Sequence, residues 1–228
     1  MEKGSVDSIM RCPRCEQNFY QAAERCPHCD FEAADAQVRF GNDPVKLRKL
    51  TDTAGVFRVK DRARIRREVR RFERAFPQLF FAVYAQAFPD QTNIREFGFW
   101  LLNQGAFEDV DLERPNECGI LLTIDANARR VTLTCGYVVM PYLDEVQSFR
   151  VLAEAHGSLV ESRWSESVTT ILKQLRKRLK AGVKEVRRDP VGVLGRVSQR
   201  PTVVDEAPKP VREGHVRTRE IDHEGGLR

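Results

Sequence analysis

The sequence lacks any apolar stretch long enough to cross a bilayer, and it lacks an N-terminal segment typical of a secretory signal. Its longest apolar stretch, residues 79–88, is interrupted by Gln86, whereas a membrane-spanning helix takes roughly 20 consecutive apolar residues. Residues 1–10 mix acidic and basic side chains with apolar ones and contain no continuous apolar core of the kind that signal peptides carry. We therefore predict a cytoplasmic protein without a transmembrane helix.

The sequence also lacks the short motifs by which many enzymes are recognised. It contains no nucleophile elbow, no phosphate-binding glycine-rich loop and no HExxH pair of metal ligands. The chain has 228 residues, with 38 basic side chains against 33 acidic ones and a formal net charge of +5. This length allows one ordinary domain and a small module, and the excess of positive charge favours acidic partners.

Four of the six cysteines form two Cys-x-x-Cys pairs near the N-terminus. In a chain without a secretion signal, such a cluster indicates metal binding more than disulfides. Four thiolates complete a tetrahedral zinc shell and leave no position for a catalytic water, so we predict a structural zinc ribbon over residues 11–31. A redox dithiol and an iron site of the rubredoxin type fit the same spacing. The predicted ligands are Cys12, Cys15, Cys26 and Cys29.

Hydrophobic periodicity predicts a single α/β domain over residues 46–181, after a linker at residues 32–45. Helical spacing of apolar residues occurs in 61–76, 94–101, 146–153 and 168–179, and strands are expected at 79–84, 119–124 and 130–134. This order predicts a small mixed sheet sandwiched between helices. Residues 182–228 contain no aromatic side chain, so we predict that they form a disordered tail.

The first predicted helix of this domain is rich in arginine. Such a row of positive charge can contact nucleic acid, but the interleaved Asp61, Glu68 and Glu73 favour a solvated helix face. We therefore keep association with nucleic acid as a second alternative function. The arginines are Arg62, Arg64, Arg66, Arg67, Arg70, Arg71 and Arg74.

Two local patterns predict contacts within the domain. Asn93, followed three residues later by Glu96, resembles a capping box at the start of a helix. The strands on either side of residues 125–129 read as a hairpin, in which we expect Cys118 and Cys135 to lie roughly opposite each other.

Three segments together resemble the TPM domain family. Residues 50–57 are similar to the Asp-x-Ala-Gly segment that leads into the family's first helix, residues 117–122 to its Asp-Asn-Gly-Val-Leu-Leu strand, and residues 130–137 to its second hairpin strand. The resemblance covers roughly residues 46–181 and implies the α/β fold predicted above. It implies either a phosphatase or an accessory factor of photosystem repair or membrane proteins, so the enzymatic activity stays open.

The resemblance also implies a cation site. Asp52, Glu117, Asp144 and Glu145 fall at or near the family's acidic positions and would hold Ca²⁺ or Mg²⁺, although surface acids and loop caps explain the same residues equally well. The family's Asp, Asn and second Gly of Gly-Tyr-Gly are replaced here by Glu117, Cys118 and Val138. Because these departures cluster at the implied site, we expect a non-catalytic interaction or accessory module with a protein partner. A divalent-metal-dependent phosphatase is the first alternative.

Overall fold

The computed structural model describes residues 9–20, 23–143 and 145–189. The strands in these ranges are β1 (Ile9–Arg11), β2 (Asn18–Tyr20), β3 (Val45–Leu47), β4 (Leu50–Asp52), β5 (Phe80–Gln86), β6 (Gly105–Phe107), β7 (Gly119–Asp125) and β8 (Arg130–Cys135). The helices are α1 (Ala33–Phe40), α2 (Val59–Ala75), α3 (Ile94–Gln104), α4 (Glu145–Ala153), α5 (His156–Val160) and α6 (Trp164–Arg188), with short 3₁₀ turns at Asn116–Cys118 and Met140–Tyr142. None of these helices is long and apolar enough to span a membrane.

Four strands form the central sheet in the order β4–β5–β7–β8. The first three run parallel, and β8 joins β7 as an antiparallel partner. β7 is buried at every residue, and β5 is buried over most of its length. Burial on both faces explains why these two strands are continuous apolar runs in the sequence and not alternating patterns.

Helices cover both faces of this sheet. Phe81 and Val83 of β5 belong to the hydrophobic core that α2 and α6 complete. The alternate residues Phe80 and Ala82 belong to a second core that is built with α3, as expected from the period of two along a strand. The predicted fold class, a mixed sheet sandwiched between helices, is therefore confirmed.

The predicted hairpin is formed by β7 and β8, with the last residue of β7 paired to the first residue of β8. In this register Cys135 pairs with Ile120, so the expectation that Cys118 lies opposite Cys135 is wrong. With the connecting loop at residues 126–129, the β7 residue opposite Cys135 is Ile120, and Cys118 lies two residues earlier, in the 3₁₀ turn before β7.

Residues 32–45, which the sequence indicates as a linker, fold onto the larger domain. They contain α1, whose last residue Phe40 packs its ring against Phe97 and Trp100 of α3, with ring centroids 5.3 and 5.5 Å away. The indole N–H of Trp100 donates to the Gly41 carbonyl at 2.7 Å. Short helices owe their stability to such packing, which the small and polar composition of this segment does not indicate.

Residues 182–188, assigned from the sequence to the tail, continue α6 as a helix. Gly182 lies within this part of the helix, and a Cβ at this position would lie 2.2 Å from the carbonyl oxygen of Tyr142. The glycine therefore lets α6 approach the backbone near Tyr142. Residues 190–228 of the predicted tail lie outside the described residues.

The hairpin depends on Asp125, a fully buried carboxylate at the end of β7. It accepts hydrogen bonds from the N–H groups of Asn127 and Ala128 at 3.1 and 3.2 Å and from the Arg130 guanidinium at 2.8 Å. Burial alone would raise the pKa of Asp125, but Arg130 and the backbone N–H groups outweigh it, so the pKa lies below its ordinary value.

Because the pKa of Asp125 is lower in the folded chain than in the unfolded chain, its contribution to stability is present at neutral pH. That contribution is lost as the pH falls below about 4, through the folded-state pKa. We expect Asp125→Asn to unfold at lower urea concentration at pH 7 and to lose less further stability on acidification than the wild type. Asp90→Asn, an exposed control, should follow the wild-type profile. Identical pH profiles for Asp125→Asn and the wild type would contradict this role.

Candidate functional site

The two cysteine pairs fold into knuckles with the same backbone geometry. In each knuckle the residue after the second cysteine donates its N–H to the carbonyl of the first cysteine: Glu16 to Cys12 and Asp30 to Cys26, both at 2.9 Å. Glu16 and Asp30 also adopt left-handed backbone conformations, with φ of 66° and 56°. The chain therefore turns in the same way after both pairs, which directs two sulfur atoms of each knuckle toward a common point.

The structure brings the four cysteine sulfur atoms together within 4.8 Å of one another. The Sγ atoms of Cys12 and Cys29 lie 3.6 Å apart, and those of Cys15 and Cys26 lie 3.7 Å apart. A tetrahedral shell with metal–sulfur distances of about 2.3 Å has sulfur–sulfur edges of roughly 3.8 Å. The four cysteines can therefore bind one four-coordinate metal ion such as zinc.

Ionisation of the cysteine thiols depends on burial and on hydrogen bonds to the sulfurs. Burial raises the pKa of the Cys12 and Cys29 thiols above the ordinary value. At Cys15 burial acts in the same direction, but hydrogen bonds from the Gln17 N–H and from neighbouring cysteines outweigh it, so the pKa is lowered. Four thiolates at this spacing repel one another, so their joint ionisation requires a cation among them.

The cysteine knuckles are fastened to the larger domain by Glu96 of α3. Its buried carboxylate accepts hydrogen bonds from Arg14, inside the first knuckle, and from Arg39 of α1, both at 3.1 Å. The Phe31 ring, after the second knuckle, meets the Phe99 ring of α3 edge to face with centroids 5.9 Å apart. The metal-binding segment is therefore docked on α3 by both charge and aromatic contacts.

Sequence reasoning gave Glu96 a different role. Asn93 does cap α3, because its side chain accepts from the N–H groups of Arg95 and Glu96. The Glu96 side chain, however, binds the two arginines and does not complete a capping box. Only the three-dimensional approach of residues 14 and 39 reveals this, since no local pattern links positions so far apart in the chain.

Asp52, the first predicted cation ligand, is engaged by the protein itself. Its Oδ1 accepts the N–H of Val56 and its Oδ2 the N–H of Phe57, both at 3.0 Å. The Arg62 guanidinium contacts the same Oδ2 at 3.0 Å, and the Asp52 side chain is only 1% exposed. Asp52 therefore shapes the loop that leads from β4 into α2.

Glu117, the second predicted ligand, is exposed in the turn before β7. Its carbonyl oxygen accepts the Val138 N–H at 3.1 Å. A Cβ on Gly136 would lie 2.2 Å from the same carbonyl oxygen, so glycine is needed there for the close approach of the two backbones. Val138 is itself 41% exposed, and its side chain fits without displacing this contact.

The structure does not bring Asp52 and Glu117 together. Asp52 pairs with Ala85 in β5, whereas Glu117 lies just before Gly119, which pairs with Phe80 at the other end of β5. Positions 80 and 85 of one strand are about 17 Å apart at the usual rise per residue.

The other two predicted ligands lie in the segment after β8. Asp144 lies outside the described residues, and Glu145 is the first residue of α4.

The family model of the TPM domain matches residues 50–178, and the chain therefore belongs to the TPM domain family. The N-terminal domain of the cg2496 protein from Corynebacterium glutamicum, solved by NMR in solution, is structurally similar over 57% of this chain and 78% of that chain, with 14% sequence identity and a TM-score of 0.44. Comparison with curated protein sequences gave no match.

We expect Asp52→Asn to lower the free energy of unfolding by about 1–3 kcal/mol, because it disturbs the contact with Arg62 and the two hydrogen bonds donated by the Val56 and Phe57 N–H groups. Urea unfolding at pH 7 measures this difference. Glu117→Gln is the matched control, and as an exposed substitution it should change stability by no more than about 0.5 kcal/mol. A different result, in which Ca²⁺ raises the thermal midpoint of the wild type but not of Asp52→Asn, would identify Asp52 as a cation ligand and contradict the structural role.

Proposed function

We propose that this TPM protein acts as a non-catalytic interaction or accessory module with a structural zinc ribbon. The observation that carries the proposal is the placement of Asp52 and Glu117 at opposite ends of β5, with both carboxylate oxygens of Asp52 already bound by the protein. Metal-assisted phosphate hydrolysis needs several oxygen ligands converging on one cation. Membership of the family carries over the fold and not the activity.

Zinc is the metal that fits the four-cysteine cluster best. Its tetrahedral preference agrees with the sulfur spacing of 3.6 and 3.7 Å, and four thiolates leave no open position for a water molecule. A ribbon of this size buries too little apolar surface to fold without metal. Thiolate ligands also require a reducing environment, which agrees with the cytoplasmic location that we propose.

A protein partner is supported by an apolar groove beside β8. Val146 and Phe149 of α4 and Val160 of α5 are 47%, 70% and 50% exposed. They line the same groove as Val131 and Leu133 of β8. Strand β8 is an edge strand of the described four-stranded sheet. Exposed apolar side chains beside an unpaired strand edge form a surface that suits an extended peptide segment.

Protein purified without added metal should contain about one zinc ion per chain by elemental analysis. Cys15→Ser should lose the metal and unfold residues 11–31, because the metal supplies most of the ribbon's stability. Hydrogen exchange should show the larger domain still folded. Thermal unfolding should show a lower midpoint for this domain, because the docked ribbon no longer contributes to its stability. Cys118→Ser, which lies outside the cluster, should keep the zinc. Iron in the site, or a folded ribbon without metal, would overturn the zinc assignment.

Hydrolysis of para-nitrophenyl phosphate should be no faster with the wild type than with a Glu117→Ala, Asp144→Ala double variant, with or without Ca²⁺ or Mg²⁺. Carboxylates that hold a catalytic cation contribute several kcal/mol to the transition state, so removing two from a working site would lower the rate by orders of magnitude. The assay is a steady-state rate at several enzyme concentrations. Cation-stimulated turnover that the double variant abolishes would establish the phosphatase alternative.

A further inference from the structure

The acidic residues of α2 do not neutralise its exposed face. Glu68 is buried and binds Arg71 of the same helix and Arg176 of α6. The Glu73 side chain is 14% exposed and binds Lys49 at 3.1 Å. Asp61 accepts the backbone N–H of the residue before the helix at 3.2 Å. The sequence pattern mixed acids with arginines, but the folded helix directs these acids toward the protein or its own N-terminus.

The arginines on the solvent side of α2 have no acidic partner in the part of the chain that the structure describes. All are exposed, and within the described ranges no carboxylate lies within salt-bridge distance of their guanidinium groups. Two of them also line a pocket of about 370 Å³ together with Arg48, Lys49 and Asp109. Asp109 accepts the backbone N–H of Lys49 at 2.7 Å and is the acidic side chain of this lining. The unpaired arginines are Arg64, Arg66, Arg67 and Arg70, and the two at the pocket are Arg66 and Arg70.

The neighbouring helix extends the same positive surface. α6 packs beside α2, with Arg176 reaching Glu68 at 3.5 Å. Exposed lysines recur every three or four residues on α6, opposite its buried stripe of Val168, Leu172, Leu175 and Leu179. Both helices cover one face of the sheet, so their outward sides form one basic surface. The lysines are Lys173, Lys177, Lys180 and Lys184.

We propose that this basic surface of α2 and α6 binds the phosphate backbone of double-stranded nucleic acid. The α2 charges from Lys60 to Arg74 span about 21 Å at the rise of an α-helix, and a DNA duplex carries one phosphate per roughly 1.7 Å of its axis. Arginine predominates on α2, and its planar guanidinium matches phosphate oxygens in pairs. The inference stands on a surface separate from the TPM acidic positions and the β8 groove, so it does not rest on the proposed function.

Other polyanions fit the surface less well. A membrane-bound helix inserts large apolar side chains beside its basic ones. On α2 the large apolar side chains Ile65, Val69 and Phe72 are buried, and only Val59, at the start of this described helix, is strongly exposed. Proteins that bind single strands stack bases on exposed aromatic rings, and α2 directs Phe72 into the core and packs Phe76 against it. Contacts to phosphates without base recognition therefore favour a duplex.

The test is fluorescence anisotropy of the full-length protein with labelled 24-base-pair DNA and RNA duplexes at 50–200 mM NaCl. An Arg66→Gln, Arg67→Gln, Arg70→Gln variant should bind about tenfold more weakly or worse at 100 mM NaCl. Each lost phosphate contact should make the negative slope of log K against log salt shallower by about 0.9. Circular dichroism should show an unchanged thermal midpoint, since the three side chains are exposed.

The matched control removes the same number of charges elsewhere. Arg25→Gln, Arg129→Gln, Arg150→Gln alters three exposed arginines outside α2 and α6 and should bind like the wild type. If the α2 variant misfolds, a second variant, Lys173→Gln, Lys177→Gln, tests the same surface through α6 and should also weaken binding. Three outcomes would overturn the proposal: no duplex binding by the wild type at 50 mM NaCl, equal losses in the α2 variant and the control, or α2-dependent binding to phosphatidylserine vesicles without binding to duplexes.

Discussion

Parallel pairing of β4, β5 and β7 is the constraint from which the other features of the domain follow. Parallel strands place their carboxyl ends at one edge of the sheet, so Asp52 of β4 and Asp125 of β7 lie at the same edge. Each is buried, and each accepts hydrogen bonds from its own loop and an arginine. The acidic positions of the sheet thus shape the loops that follow the strands, while Glu117 stands at the opposite edge.

The buried strands and the amphipathic helices could be predicted because their patterns are local. The apolar run of β5 and the stripe formed by Ile65, Val69 and Phe72 of α2 depend on residues a few positions apart, and the structure agrees with both. What the sequence did not indicate depends on distant partners. Helix α1 is stabilised by aromatic rings of α3, and Glu96 is bound by arginines that lie far away in the chain.

The candidate sites divide in the same way. The four cysteines could be identified from spacing alone, because two residues within one turn must lie close together. The acidic residues offered no such guarantee, since their distances depend on strand register. The arginines of α2 show the third case: the sequence gives their number, but only the burial of Glu68 and the pairing of Glu73 show that the exposed face keeps its positive charge.

Arg14 belongs to two structures at once, because it lies between two cysteines of the cluster and also contacts buried Glu96 of α3 at 3.1 Å. A movement of the cysteine loop that shifts Arg14 changes its hydrogen bond to that carboxylate, and a movement of α3 that shifts Glu96 changes the same hydrogen bond from the other side. Thermodynamic linkage makes this influence reciprocal. Metal binding or oxidation at the cysteines that shifts Arg14 would therefore alter the ion pair on the buried Glu96 carboxylate of α3, without a ligand entering the larger domain.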